Sequence, residues 1–525
     1  MLARRAAVGR TGLFLLAFVA ACVTARAVAA AETLEATGAI EGDQPAGRIS
    51  RHLYGHFAEH LGRCVYDGIW VGEDSRIPNT RGIRNDVVEA LRAIAIPNLR
   101  WPGGCYADNY HWRDGIGPRV ERPHRINTHW GGVIDTNAFG THEFLDLCEQ
   151  IGADPYIAGN VGSGTPAEMR DWIEYMTFAG DSELANLRRA NGRDEPWKIP
   201  YFGVGNENWG CGGNMRPEYY ADLYRRFSTY CNEYSGNRLR RVACGPGGEN
   251  TAWTRIVMQR AGDRMQALSQ HYYTLAASWS DKRPATGFDE EAWFAILRDA
   301  LKMEDRIVET VEIMDEYDPR GRVKLYVDEW GTWYRNEPGT NPGFLYQQNS
   351  QRDALVAALT FHIFHEHAER VTMANIAQTV NVLQAMILTE GPAMVLTPTY
   401  YVFEMYKVHH DAQRLPVTLT TPDYTFGDAA IPAISASASR DRQGAVHVSF
   451  ANSHATQAVA VSLDLTGVNA TSATGRVLVA DSLDAHNTFE NPNRVKPAPF
   501  DGAKIADGKL TVELPAASVV VLELK

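Results

Sequence analysis

Two glutamates end apolar runs where chemistry could occur. In "YFGVGNENWG", residues 201–210, Tyr201, Phe202 and Val204 lead into Asn206, Glu207, Asn208 and Trp209. In "LYVDEWG", residues 325–331, Leu325 and Val327 lead to Glu329. Either acid alone reads equally well as a solvated loop carboxylate, because Asn and Gly end strands and most loop acids do no chemistry. Together they are the minimum machinery for breaking a glycosidic bond: one carboxylic acid protonates the leaving oxygen while the other, ionised, acts at the anomeric carbon. Different surroundings would push their pKa values apart and so assign the two roles. Strict alternation along the second run puts Leu325, Val327 and Glu329 on one face, with Tyr326 and Asp328 on the other. Trp101, Trp112, Trp130, Trp209, Trp330 and Trp333 fall at or just after such runs. Half of them are expected in the core, the rest free to pack on the apolar faces of sugar rings.

The two acids can meet only if the fold brings their runs together. Eight short apolar runs, "RHLYGHFAEH", "AIPNLRWPGG", "DPYIAGNVG", "IPYFGVGNEN", "RRVACGPG", "ALSQHYY", "VKLYVDEWG" and "VTMANIAQ", alternate with amphipathic helical stretches such as "RNDVVEALRAI" and "QRDALVAALTFHIFHEHAE". That repeat predicts an α/β fold, a (β/α)8 TIM barrel over residues 50–394, whose active site lies at the C-terminal ends of the strands. Glu207 then ends the fourth strand and Glu329 the seventh, expected to face each other across the mouth. From residue 395 to 525 the pattern turns to period-2 alternation with Gly, Asn, Asp and Pro turns, which predicts an antiparallel β-sandwich without helix. Residues 32–49 read as strands joining that sandwich.

Composition narrows the partners. With 51 Lys and Arg against 63 Asp and Glu the net charge is −12, and no basic run interrupts the body of the chain, so nucleic acid is not an expected partner. Arg4, Arg5 and Arg10 precede the apolar stretch Leu13 to Val23 and the small-residue run "ARAVAAAE". This is the layout of a signal peptide over residues 1–31, too short to span a membrane, and it predicts a periplasmic or extracellular enzyme. "VAAC" ending at Cys22 offers lipoprotein anchoring as an alternative. Cys64, Cys105, Cys148, Cys211, Cys231 and Cys244 are too widely spaced for a small disulfide scaffold and form no CxxC pair. "HIFHEH" (His362, His365, Glu366, His367) lacks the HExxH spacing of a zinc site and reads as a solvated helix face.

"LYGHFAEHLGRCVYDGIW", "LRWPGGCYADNYHWRDGIGP", "FGVGNENWGCGGNMRPEYYADLYR", "LYVDEWGTWY" and "MANIAQTVNVLQAMILT", in that order, resemble the α-L-arabinofuranosidases of glycoside hydrolase family 51. The resemblance implies a retaining, exo-acting enzyme that removes terminal α-L-arabinofuranosyl groups from arabinose-containing plant polysaccharides or oligosaccharides. It implies neither metal nor organic cofactor, and a homo-oligomer that is often hexameric. Carried onto this chain, it makes Glu207 the acid/base and Glu329 the nucleophile. Glu59, Asn206, His271, Tyr273 and Gln378 become substrate-binding residues, Tyr273 also orienting the nucleophile. Cys105 stands where some members carry Asn, so the resemblance implies a weak thiol contact to the sugar. A retaining β-glycanase on the same barrel and a non-hydrolytic carbohydrate-binding protein are the alternatives.

Overall fold

The computed structural model describes residues 34–525; the leader-like residues 1–31 and Cys22 lie outside them. Eight strands close into a parallel barrel in chain order: β1 (Gly55–Phe57), β2 (Asn98–Trp101), β3 (Asp154–Gly159), β4 (Tyr201–Val204), β5 (Arg240–Ala243), β6 (Ala267–Thr274), β7 (Lys324–Thr332) and β8 (Val371–Ala377), with β8 pairing back onto β1. Each of the eight apolar runs supplies one strand. Below the mouth the barrel is plugged by Tyr156, Tyr201, Val242, Ala267, Tyr326 and Met373, so the interior is a packed core with its opening at one end.

The helices between strands bury one stripe each. In α1 (Asn85–Ala93) the buried positions are Val87, Val88, Ala90 and Leu91, the spacing of a helix face turned to the barrel. Helix α2 spans Thr141–Ile151. Helix α3 (Pro166–Thr177) starts where Thr165 accepts a hydrogen bond from the Glu168 N–H and Pro166 takes the first turn. Helix α4 (Glu183–Ala190) is a second helix in the same connection, and α5 (Pro217–Tyr230), α6 (Thr251–Ala261) and α7 (Glu290–Tyr317) follow β4, β5 and β6.

Helix α8 (Gln351–Glu366) differs, because every residue from Gln351 to His365 is buried. One side packs on the barrel and the other on strands Ile434–Arg440, Val446–Asn452 and Ser518–Leu524. The solvated face expected for "HIFHEH" is therefore corrected for His362 and His365, whereas Glu366 at the helix end is exposed. His362 bonds Ser435, Ser449 and Tyr406, and His365 bonds Ser437 and Tyr54, because a sheet covers this helix where water covers an ordinary barrel helix. The stretch read as purely β also opens with a helix, α9 (Pro398–Tyr406), capped by Thr397 with Pro398 in its first turn.

The C-terminal strands form a five-stranded and a six-stranded sheet, antiparallel throughout except that Leu34–Glu41 runs parallel to Val459–Thr466. Their alternation is plain in Lys509–Leu514, where every second residue is buried. Among the described residues no helix is long and apolar enough to cross a membrane.

Candidate active site

Glu207 follows β4 with its backbone in the left-handed region (φ +41°), a conformation that costs a non-glycine residue about 1–3 kcal/mol and persists only where neighbours hold it. Asp108 is the main holder. Its buried carboxylate accepts the N–H groups of Val161 (2.6 Å), Gly162 (2.7 Å) and Asn206 (2.9 Å) and the Asn208 side-chain amide (3.2 Å). It thereby ties together the loops that follow β2, β3 and β4.

Glu329 reaches the mouth by a different device. Ser269 pairs with Tyr326 but His271 with Glu329, and Val327 pairs with Ala374 but Trp330 with Ile376, so β7 carries one extra residue against both neighbours. This bulge breaks the alternation expected from sequence and turns Asp328 and Glu329 to the same mouth. Strands four and seven also stand three places apart around the ring, not opposite; long side chains close the remaining gap.

The two carboxylates meet around two cations. Glu329 accepts the Tyr273 hydroxyl at 2.8 Å and Arg100 Nη1 at 3.1 Å. His271 Nδ1 lies 2.9 Å from Glu207 Oε1 and 3.5 Å from Glu329 Oε2, with its Nε2 3.2 Å from Asp328 Oδ1. Asp328 also accepts the Tyr156 hydroxyl at 2.7 Å. Single oxygens of Glu207 and Glu329 and a ring nitrogen of His271 all lie within 4.8 Å of one another. Burial alone would discharge His271, but the surrounding carboxylates, Glu329 first, outweigh it and raise the imidazolium to about 10. Burial and then the charge of Glu329 push Glu207 above the ordinary carboxylate range, while His271 pulls the other way. Burial and Glu329 likewise raise Glu59 to about 7. For Asp328 burial is overcome by Arg100 and His271, and it is held below its usual value.

A cavity of about 760 Å³ opens over this cluster, lined by Glu59, Cys105, Glu207, His271, Tyr273, Glu329 and Gln378 among others. Glu59 accepts the Trp130 indole N–H (2.8 Å), the Tyr106 N–H (2.9 Å) and the Gln378 amide (3.1 Å). Asn206 does not line the cavity. Its Oδ1 accepts Arg100 Nη2, and its Nδ2 is buried without a partner. Of the six tryptophans singled out, Trp130, Trp209 and Trp333 line the cavity, while Trp101, Trp112 and Trp330 are core.

Cys105 is joined to Cys211 in a disulfide, so the thiol contact expected of it is corrected: the sulfur has no hydrogen to donate. The two sulfurs instead flank Glu207 Oε2, Cys211 at 3.4 Å and Cys105 at 4.0 Å. Sequence reasoning also missed Arg100, Asp108, Asp328, Cys211 and Trp279. Arg100 did carry a signal, a charged residue inside a strand buried on both faces, which requires a buried anion nearby.

Family models described as "Alpha-L-arabinofuranosidase 1 domain" and "Alpha-L-arabinofuranosidase C-terminal domain" match residues 90–290 and 328–518. An "Intracellular exo-alpha-L-arabinofuranosidase" of Bacteroides ovatus is 52% identical over 97% of this chain and 98% of its own. An "Intracellular exo-alpha-(1->5)-L-arabinofuranosidase" of Streptomyces lividans is 30% identical over 90% of this chain and 72% of its own. The crystal structure of the GH51 arabinofuranosidase from Xanthomonas axonopodis pv. citri superposes with TM-score 0.93 at 53% identity, covering 94% of this chain and all of that one. The two relatives named intracellular overturn the expectation of a secreted, signal-bearing protein, periplasmic or extracellular, and with it lipid anchoring at Cys22. That expectation rested on the composition of residues 1–31 alone, and a short apolar run between arginines and alanines does not by itself specify transport.

Proposed function

Because the chain belongs to the α-L-arabinofuranosidases of glycoside hydrolase family 51, we propose that it works by double displacement with Glu329 as nucleophile and Glu207 as acid/base. The activity is exo-α-L-arabinofuranoside hydrolysis, acting on arabinose-containing glycans. The observation that carries the assignment is the approach of the two carboxylates, oxygen to oxygen within 4.8 Å. Retaining enzymes hold their carboxyl groups about 5–5.5 Å apart, whereas inverting enzymes need about 6.5–9.5 Å to admit a water.

The hydrogen bonds support this division of roles. Donors from Tyr273 and Arg100 stabilise an ionised Glu329 and aim its lone pairs. Glu207 is half-buried beside that charge, which shifts it toward the protonated form that the leaving oxygen needs. Glu329 attacks the anomeric carbon as Glu207 protonates the leaving oxygen. Glu207, now a base, then takes a proton from the water that attacks the β-linked glycosyl-enzyme. Glu59 and Gln378, which line the cavity, bond sugar hydroxyls, and His271 bridges the two acids; the unpartnered Asn206 amide, behind the cavity wall, is the donor left for a sugar hydroxyl seated against Glu207. Cys105 contributes a disulfide wall beside Glu207. Plant polysaccharides and oligosaccharides as the natural substrates, and a homo-oligomer that is hexameric by family resemblance, belong to this proposal. The β-glycanase and non-hydrolytic alternatives are not favoured by the match to arabinofuranosidases along almost the whole chain.

Proton NMR of the first-formed sugar tests the proposal: α-L-arabinofuranose is expected before mutarotation, and an initial β-anomer would overturn it. A second expectation concerns pH. Activity falls as pH rises through the raised pKa of Glu207, because the proton donor is lost. The His271 imidazolium favours the ionised form of Glu207, so His271→Asn raises the Glu207 pKa further. The basic limb of kcat/KM should then move upward by about 1–3 pH units. A limb that stays in place or moves downward would show that His271 carries no charge beside Glu207.

A further inference from the structure

Catalysis by two carboxylates gives no role to the sulfur pair beside Glu207. Cys105 and Cys211 are only half-buried, whereas the other cysteines of the described residues, Cys64, Cys148, Cys231 and Cys244, are buried free thiols. Cys105 also faces the substrate cavity. The pair is thus the sulfur that a reagent entering the cavity meets first.

Opening this disulfide leaves its surroundings in place. Cys105 begins the short 3-10 segment Cys105–Asn109 that also carries Asp108, and Asp108 binds the backbone of Asn206 and the side chain of Asn208. On the other side Asn208 donates to the Gly212 carbonyl at 2.7 Å, and the Gly210 and Gly212 N–H groups donate to the Glu207 carbonyl at 2.7 and 3.1 Å. Both cysteine-bearing segments are pinned by bonds that do not involve sulfur. One atom each of Cys105, Cys211 and Glu207 lies within 4.8 Å of the others. A tetrahedral zinc-like ion with bonds of about 2.3 Å to sulfur and about 2.0 Å to oxygen has sulfur–oxygen edges of about 3.5 Å. The sulfurs stand 3.4 and 4.0 Å from Glu207 Oε2 already. They need only part from each other to about 3.8 Å, the sulfur–sulfur edge of such a tetrahedron.

We propose that Cys105, Cys211 and Glu207, once the disulfide is reduced, form a binding site for a thiophilic divalent cation of the Zn²⁺ and Cd²⁺ class, with the cavity supplying a water as fourth ligand. A dithiol reductant opens the pair by exchange: it delivers two electrons and two protons, both protein sulfurs become thiols, and the reductant closes its own disulfide. The cation then binds two thiolates and the carboxylate, releasing the two thiol protons. Soft thiolates choose this class of ion over Mg²⁺ or Ca²⁺. Resting on the assignment of Glu207 as acid/base, the bound ion removes that group from catalysis, so the reduced enzyme is switched off by the cation and the disulfide form is immune.

The test uses the full-length enzyme, either oxidised or reduced with a phosphine that is then dialysed away, titrated with Cd²⁺ alone. The reduced enzyme should bind one Cd²⁺ per chain with a thiolate-to-metal ultraviolet band. It should lose about 10²-fold or more of its activity on an arabinoside with a poor leaving group, restored by EDTA. The oxidised enzyme should show neither effect. Cys211→Ser and Cys105→Ser, each compared with its own metal-free rate, should lose both the band and the inhibition. No band on the reduced enzyme, or a band that survives unchanged in both serine variants, overturns the site. A band without inhibition keeps the site and counts instead against Glu207 as the acid/base.

Discussion

The Glu329→Ala enzyme is expected to turn over every arabinofuranoside, aryl or glycan, about 10⁴–10⁶-fold more slowly than the parent, with the loss falling on kcat. Removing the nucleophile removes the covalent path whatever the leaving group, so activated substrates bring no relief. The fold should survive. Arg100 keeps Asp328, 3.6 Å from its Nε, and His271 keeps Asp328 and Glu207, so neither cation is stranded. A thermal unfolding scan alongside the kinetics separates lost chemistry from lost structure. Azide admitted to the vacated space attacks the substrate directly from the Glu329 side and should give the β-L-arabinofuranosyl azide. Near-parental rates on an aryl arabinoside would assign the nucleophile elsewhere.

The Glu207→Ala enzyme is expected to divide substrates by leaving group. A natural alkoxide leaves poorly without a proton, so hydrolysis of arabino-oligosaccharides should fall about 10²–10⁴-fold. An aryl group of low pKa needs little protonation, and its first step should be largely spared. Water then lacks its base in the second step, so the glycosyl-enzyme accumulates and KM falls together with kcat. Azide needs no base. It attacks the β-linked intermediate from the face opposite Glu329, restores turnover and should give the α-azide. The two variants thus yield azides of opposite configuration, and exchanged configurations would mean that the two roles are reversed.

The barrel was legible because its strands are buried on both faces and so read as unbroken apolar runs, each ended by Gly, Asn or acid. Glu207 and Glu329 stood out for the same reason. What stayed hidden depends on partners that one strand does not reveal. The β7 bulge is a mismatch with β6 and β8, so alternation within "LYVDEWG" put Glu329 on the face of Leu325 and Val327, which packs outside the barrel, and only Asp328 on the inner face with Tyr326. The Cys105–Cys211 bridge joins two loops 106 residues apart in the chain, and their approach depends on Asp108 of the first loop binding Asn206 and Asn208 of the second. His362 and His365 looked solvated because the sheet that buries them comes from the other end of the chain. Helix α9, by contrast, carried its Thr-Pro start in plain sight within a region read for period 2.

Double displacement passes through a covalent arabinosyl ester on Glu329. Glu207→Ala incubated briefly with an activated aryl α-L-arabinofuranoside, quenched in acid, digested and fragmented by tandem mass spectrometry tests it directly. The ester is expected on the "LYVDEWG" peptide, localised to Glu329 and not to the adjacent Asp328, and it should vanish when azide is added before the quench. An ester on Asp328 or Glu59, or burst kinetics with no sugar-bearing peptide, would contradict the account.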